Sequence, residues 1–167
     1  MSKVYVIIRT VGEKTTQDCV RAVMGRFGDD FEIISNLKPL EKASRRTLEI
    51  AAEKAGQFDW VFAVDADVIL TQTREWYEER CAEMKREFDD RLFCFNGWLE
   101  CTKRGLIVGS HFFRTRYCAE VLEKTKNISF AYKPGRAESE MCWWVRDKLA
   151  MGTVSFLREE VFGKHIF

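Results

Sequence analysis

The chain is short of several things, and each shortage removes a class of function. No stretch reaches the roughly eighteen consecutive apolar residues that a membrane-spanning helix needs. The apolar run near the start, Val4 to Ile8, is too short for the core of an export signal, so a cytoplasmic protein without a membrane span is expected. Charge of one sign is missing too: 27 Lys and Arg stand against 26 Asp and Glu, a net +1. A domain built to hold nucleic acid or an anionic membrane carries a basic excess, and none is present, so no nucleic-acid partner is expected. The six cysteines (Cys19, Cys81, Cys94, Cys101, Cys118, Cys142) form no CxxC pair, which predicts reduced, mostly buried thiols rather than a disulfide framework or zinc site. Repeats, low-complexity segments and long linkers are absent.

What is present is core-forming material. The 167 residues are 46% hydrophobic and 13% aromatic, which excludes disorder and fits one compact domain over 1–167. Val4 to Ile8 reads as a buried strand that runs into the loop Arg9-Thr10-Val11-Gly12. Thr15 or Thr16 then caps a helix with Cys19, Val20, Val23 and Phe27 at helical spacing, stopped by Gly28. A second strand over Phe31 to Ser35 follows, then a helix from Pro39 to Gly56, then the continuous apolar strand Trp60 to Val64. Strand and helix alternate, so the pattern predicts an α/β fold: a mostly parallel open sheet with helices on both faces. The second half predicts a helix over Glu75 to Phe88 and a β-hairpin from Leu92–Phe95 and Leu106–Val108. It also predicts helices over Thr115–Lys124 and Glu138–Met151, a loop over Lys133–Glu140 and a last strand over Thr153–Leu157.

Ligands of open parallel sheets sit beyond the carboxyl ends of the strands. Two loops meet that condition, Arg9 to Gly12 and Asp65-Ala66-Asp67. The second lies in WVFAVDADVIL, where two carboxylates one residue apart are flanked by apolar residues. Such carboxylates repel and resist burial unless a cation or donors compensate, and a hard cation shared with phosphate oxygens does so. The plainer alternative has one Asp capping a following helix and the other facing solvent.

The segment Ala43 to Leu70, ASRRTLEIAAEKAGQFDWVFAVDADVIL, resembles the DxD region of GT-A-fold glycosyltransferases, which transfer a sugar from a nucleotide-diphosphate donor to an acceptor. The resemblance implies a nucleotide-diphospho-sugar transferase-like fold and a metal, Mn²⁺ or Mg²⁺, held by Asp65 and Asp67. It implies further that Arg45 or Arg46 approaches the donor, and that Arg9, Thr10, Val11 and Gly12 line the base and ribose. Near the end of the chain, His165 would complete the cation site and Lys164 would neutralise diphosphate. Inverting members open a helix with an acidic pair, usually Glu-Asp, six residues before an Arg, and one of those carboxylates is the general base. Here Glu140 holds the Asp register relative to Arg146, with Glu138 as the near alternative, but Ser139 stands where the first acid belongs. A helix start favours acidic residues through capping alone, which is the competing reading.

His111 either lines the acceptor side or is a satisfied structural residue. Trp98, Trp143 and Trp144 either stack on sugar rings or pack the core. The acceptor class, whether glycan, lipid or protein, is not specified by these residues. Two other readings compete: a haloacid-dehalogenase-type phosphotransferase, whose DxD normally sits on the first strand, and a degenerate GT-A-like module that binds nucleotide or sugar without turnover.

Overall fold

The computed structural model describes residues 2–88, 91–130, 137–155 and 160–166. The first half follows the alternation expected: β1 (Val4–Thr10), α1 (Thr16–Phe27), β2 (Phe31–Ser35), α2 (Leu40–Glu53) and β3 (Trp60–Asp65). β1 pairs in parallel with both β2 and β3, and its residues Val4 to Ile8 are buried because helices cover both faces. Gly28 ends α1 with φ 59°, a left-handed value that only glycine adopts without strain.

The second half departs from the expectation in three places. β3 is followed after Ala66-Asp67 by another strand, β4 (Val68–Leu70), so neither Asp caps a following helix; α3 (Arg74–Glu87) starts later, capped by Thr73. The hairpin is much longer than predicted, with β5 (Leu92–Cys101) and β6 (Gly105–Arg114), and it returns through the centre of the sheet. After α4 (Thr115–Thr125), α5 (Ala137–Leu149) and β7 (Gly152–Ser155) comes a strand with no sequence expectation, β8 (Val161–His165). α5 opens at Ala137, one residue before the helix expected from Glu138, so the loop expected over Lys133–Glu140 ends sooner; Lys133 to Arg136 and the end of the strand predicted to Leu157 lie outside the described residues.

The strand order is β2-β1-β3-β6-β5-β8-β4, with β7 also on β5. The sheet is mixed, because β6 runs antiparallel to β3 and β5, and β4 antiparallel to β8. One face packs α1 and α3 around Phe27, Tyr77, Cys81 and Met84, and the other packs α2, α4 and α5 around Leu48, Val121 and Val145. Phe62, Phe112 and Phe95 stand in register on β3, β6 and β5 and stack with centroids 4.0 and 4.5 Å apart. That stack uses much of the aromatic content at the centre of the first face.

A bulge at Asn96/Gly97 lets β5 hold both β6 and β8. A Cβ on Gly97 would overlap the Phe162 ring, and one on Gly163 would lie 2.9 Å from the Ile69 carbonyl oxygen. These two glycines let β8 lie between β5 and β4. All six cysteines are buried free thiols. Among the described residues no helix is long and apolar enough to cross a membrane.

Candidate functional site

The carboxyl ends of β1 and β3 lie side by side, with Arg9 opposite Asp65 in register. The turn between β3 and β4 is pinned on three sides. The Ala66 N–H donates to the Arg9 carbonyl at 2.9 Å, the Thr15 hydroxyl donates to the Ala66 carbonyl at 2.8 Å, and the Ile166 N–H donates to the Asp67 carbonyl at 2.7 Å. Thr15, expected to cap α1 with its side chain, spends that hydroxyl on the turn instead.

The two carboxylates of the turn meet different surroundings. Asp65 is half exposed and takes Arg9 Nε at 2.9 Å and Nη2 at 2.8 Å on one oxygen. Asp67 lies further in and places Oδ2 2.8 Å from His165 Nε2, while its Oδ1 is buried without a partner. Burial pushes the Asp67 carboxyl above its usual range; His165 opposes that shift, and the charge of Asp65 adds to it. An inward acceptor short of positive charge is what a cation at the turn would satisfy. Among the described residues no cage of three or more ligating side chains gathers, so further ligands would be phosphate oxygens or water.

Arg9 is almost fully buried, and its other arm, Nη1, reaches Glu138 of α5. Burial alone would lower its pKa, but Asp65 and Glu138 more than reverse that, so the guanidinium stays charged. Burial likewise pushes Glu138 up, yet Arg9 and then His111 hold it below the ordinary carboxylate range. The second Glu138 oxygen, Oε2, lies 3.2 Å from His111 Nε2. Both oxygens are therefore engaged, which gives Glu138 a pairing role and removes it as a free proton acceptor. Glu140, two residues on and about half a turn round α5, is partly exposed, with Oε2 buried and unpartnered among the described residues.

The first loop is held by its own acid. Glu13 accepts from the Thr10 hydroxyl at 2.7 Å and the Val11 N–H at 2.8 Å, and these bonds outweigh burial to keep it ionised. Gly12 takes φ 93°, which lets the chain turn tightly there.

Beside these strand ends opens a cavity of ≈ 260 Å³. Arg9, Thr10, Val11 and Glu13 line it from β1 and its loop, and Asp65 and Asp67 from the turn. The facing wall is Ile34, Leu37, Lys38, Leu40 and Ala43, from the end of β2 and the start of α2. Sequence reasoning passed over this wall, reading Pro39 to Gly56 only as a helix. The signal available was position, since the link from Ser35 to Pro39 is also a strand's carboxyl end.

Two expected donor contacts are placed elsewhere. Arg45 donates to the carbonyls of Thr125 (3.0 Å) and Ile128, pairs with Glu41 and lies 5.9 Å over Phe130, fastening the end of α4. Arg46 is exposed and pairs with Glu49 and Glu53. Arg45 stands two positions beyond Ala43, about 200° round α2, so helical phase turns it away from the cavity that Leu40 and Ala43 line, while Arg46 is drawn to Glu49 and Glu53 on its own helix. Lys164 pairs with Glu100 at 3.4 Å and does not line the cavity. His165, by contrast, is carried to Asp67 by β8. Trp98 lies on β5, Trp143 is 49% exposed on α5, and Trp144 packs against the second core.

The sequence matches no protein-family profile and no curated protein. Solved structures do match in fold. A197 from STIV superposes with TM-score 0.61 at 15% identity, covering 92% of this chain and 81% of that one. A glycosyltransferase involved in glycosylation of the major capsid of PBCV-1 gives 0.58 at 11% identity, covering 98% and 92%. CMP:2-keto-3-deoxy-manno-octonic acid synthetase in complex with CTP gives 0.53 at 11% identity, covering 93% and 89%. At such identities the likeness defines the fold, an α/β architecture with a curled mixed sheet that glycosyltransferases and nucleotide-using synthetases share.

Proposed function

We propose that the chain is a glycosyltransferase that moves a sugar from a nucleotide-diphosphate donor to an acceptor with the help of a divalent cation. The observation that carries this reading is the Asp65-Ala66-Asp67 turn: pinned at the strand ends, beside a cavity, with a buried Asp67 oxygen that nothing among the described residues satisfies. The shared fold supports it at the level of a nucleotide-using transferase.

The chain's own residues divide the work. Ile34, Leu37 and Leu40 offer an apolar wall for a base, and Lys38 adds a cationic group beside it. Arg9 fixes the rotamer of Asp65 from below with two bonds to one oxygen. His165 orients Asp67 so that its other oxygen points inward. Mn²⁺ or Mg²⁺ bound between these carboxylates and the diphosphate would neutralise the leaving group.

The test is a thermal-shift panel of nucleotide-sugars with and without Mn²⁺. The parent protein is expected to shift upward only with donor and Mn²⁺ together, and Asp65→Ala/Asp67→Ala to stay folded but lose that shift. A double variant that keeps it overturns the assignment. One observation favours a second reading, a binding module without turnover: Arg9, the buried cation at the end of β1, is consumed by Asp65 and Glu138. Release of nucleoside diphosphate in the presence of Mn²⁺ separates the two readings, since a binder shifts in temperature but releases none.

A further inference from the structure

His111 lies near the centre of the sheet, paired with Ala63 of β3 on one side and Asn96 of β5 on the other. Residues opposite each other across a sheet share a face, as do residues two apart along a strand. Arg9, Asp65, His111 and Asn96 therefore line one face, and Glu138 descends onto it from α5. Strand spacing and rise put the His111 Cα about 8 Å from that of Asp65, roughly the span of a hexose ring.

Glu138 fixes this imidazole chemically. Its carboxylate is kept ionised by Arg9 and is an acceptor only, so the ring nitrogen that faces it 3.2 Å away, Nε2, carries the hydrogen. In the neutral ring Nδ1 is then a bare lone pair, and among the described residues it is buried without a partner. The ring lies nearly parallel to Phe113, at 8° and 6.0 Å between centroids, which holds its plane. A buried carboxylate orienting a histidine whose far nitrogen is left without a hydrogen-bond partner among the described residues is the arrangement of a general base. The groups that face the ring are Glu138 from α5, with Arg9 and Asp65 behind it, and Asn96 from β5.

Resting on the glycosyl-transfer reading, we propose that His111 accepts the proton of the incoming hydroxyl and that Glu138 is its positioning residue. The hydroxyl oxygen bonds to the anomeric carbon as the bond from that carbon to the diphosphate oxygen breaks. The proton goes to His111 Nδ1, and the electron pair leaves on the nucleoside diphosphate. Glu138 stays ionised throughout and steadies the imidazolium, which afterwards returns its proton to solvent. Glu140 is the competing base, but two residues along a helix turn it by about 200° from Glu138 and so away from Arg9 and Asp65.

Water serves as the acceptor in the test. The nucleotide-sugar that gives the parent its largest Mn²⁺-dependent thermal shift is incubated with Mn²⁺, and nucleoside diphosphate release is measured. His111→Ala is expected to keep the thermal shift, to lose at least 100-fold in kcat, and to regain at least tenfold with added imidazole. Glu138→Gln is expected to lower kcat with the donor KM unchanged and to gain nothing from imidazole. In ¹⁵N-labelled protein, nitrogen shifts of His111 are expected to show the Nε2–H tautomer. A His111→Ala variant that turns over at the parent rate, or loses donor binding outright, overturns the proposal alone. So does loss of turnover in Glu140→Gln with His111→Ala active, or an Nδ1–H tautomer. A parent that binds donor but releases no nucleoside diphosphate overturns the transfer reading and this proposal together.

Discussion

Arg9 is the residue on which the site turns. Three of its five N–H groups are spent on Asp65 and Glu138, residues 56 and 129 positions away in the chain. Removing one partner of a buried ion pair leaves an uncompensated charge, so Arg9→Ala is expected to cost about 3–5 kcal/mol in chemical denaturation. Arg9→Lys recovers only part, because a single ammonium cannot bridge both carboxylates as the guanidinium fork does. Glu138 supplies the matching pH dependence. Its folded pKa lies below the unfolded one, so its contribution to stability is full above the ordinary carboxylate range and is lost as pH falls through the depressed value. Melting temperatures of Glu138→Gln are therefore expected to fall less steeply than the parent's below about pH 4. Asp67 has the opposite sign. Its folded pKa is raised, so the stability linked to its bound proton is present at low pH and is lost as pH rises through that value. Asp67→Asn is thus expected to raise the melting temperature at neutral pH without cation and to abolish the Mn²⁺-dependent increase.

Among the elements, β8 and the hairpin decide what the site contains. β8 brings His165 to Asp67, and it fits only because Gly97 leaves room for Phe162. Gly97→Val is expected to cost about 1–3 kcal/mol through overpacking, and to weaken the Mn²⁺-dependent thermal shift by displacing His165. Gly25→Val, on α1 with open space around its Cβ position, is the control: some helix propensity is gained while that shift is kept. At α2, Arg45→Ala is expected to increase amide exchange around Thr125 to Ile128 without altering donor binding, because Arg45 holds α4 and not the cavity. The sequence spelled out some of these elements and hid others. β1, α1, β2, α2 and β3 announce themselves through apolar runs or helical spacing, with Gly28 and Pro39 as punctuation. β4 has three residues and β8 carries a glycine in five, too few apolar positions to set a period. Gly97 and Gly109 look like turn residues, yet each sits mid-strand because a side chain from a neighbouring strand fills its place.

At the scale of the whole molecule, one face of the sheet is insulation and the other is chemistry. The α1/α3 face carries the phenylalanine stack, while the opposite face carries Arg9, Asp65, His111 and Glu138 under α5. The candidate pair Asp65 and Asp67 was legible because an acidic doublet inside an apolar run has few innocent explanations. The ion pairs around it were not, since a contact across 129 residues leaves no trace in local spacing. The same distance hid the pairing of Arg9 with Asp65 and Glu138 and the hold of Arg45 on the end of α4. An arginine's sequence context shows that it is cationic, and only the folded chain shows which carboxylate claims it.

The position of β8 has a consequence for how the protein is made. It lies between β5 and β4 in the sheet but is the last of the eight strands to be synthesised. A nascent chain can build the β2-β1-β3-β6-β5 portion early, whereas β4 has no strand partner until β8 emerges and slides in. Asp67 meets His165 only at that moment, so on the proposed reading a cation would be held only after β8 is in place. A ribosome-stalled chain ending before Val161 should fold most of its sheet and yet fail to respond to Mn²⁺, which would make the ion a reporter of β8 insertion.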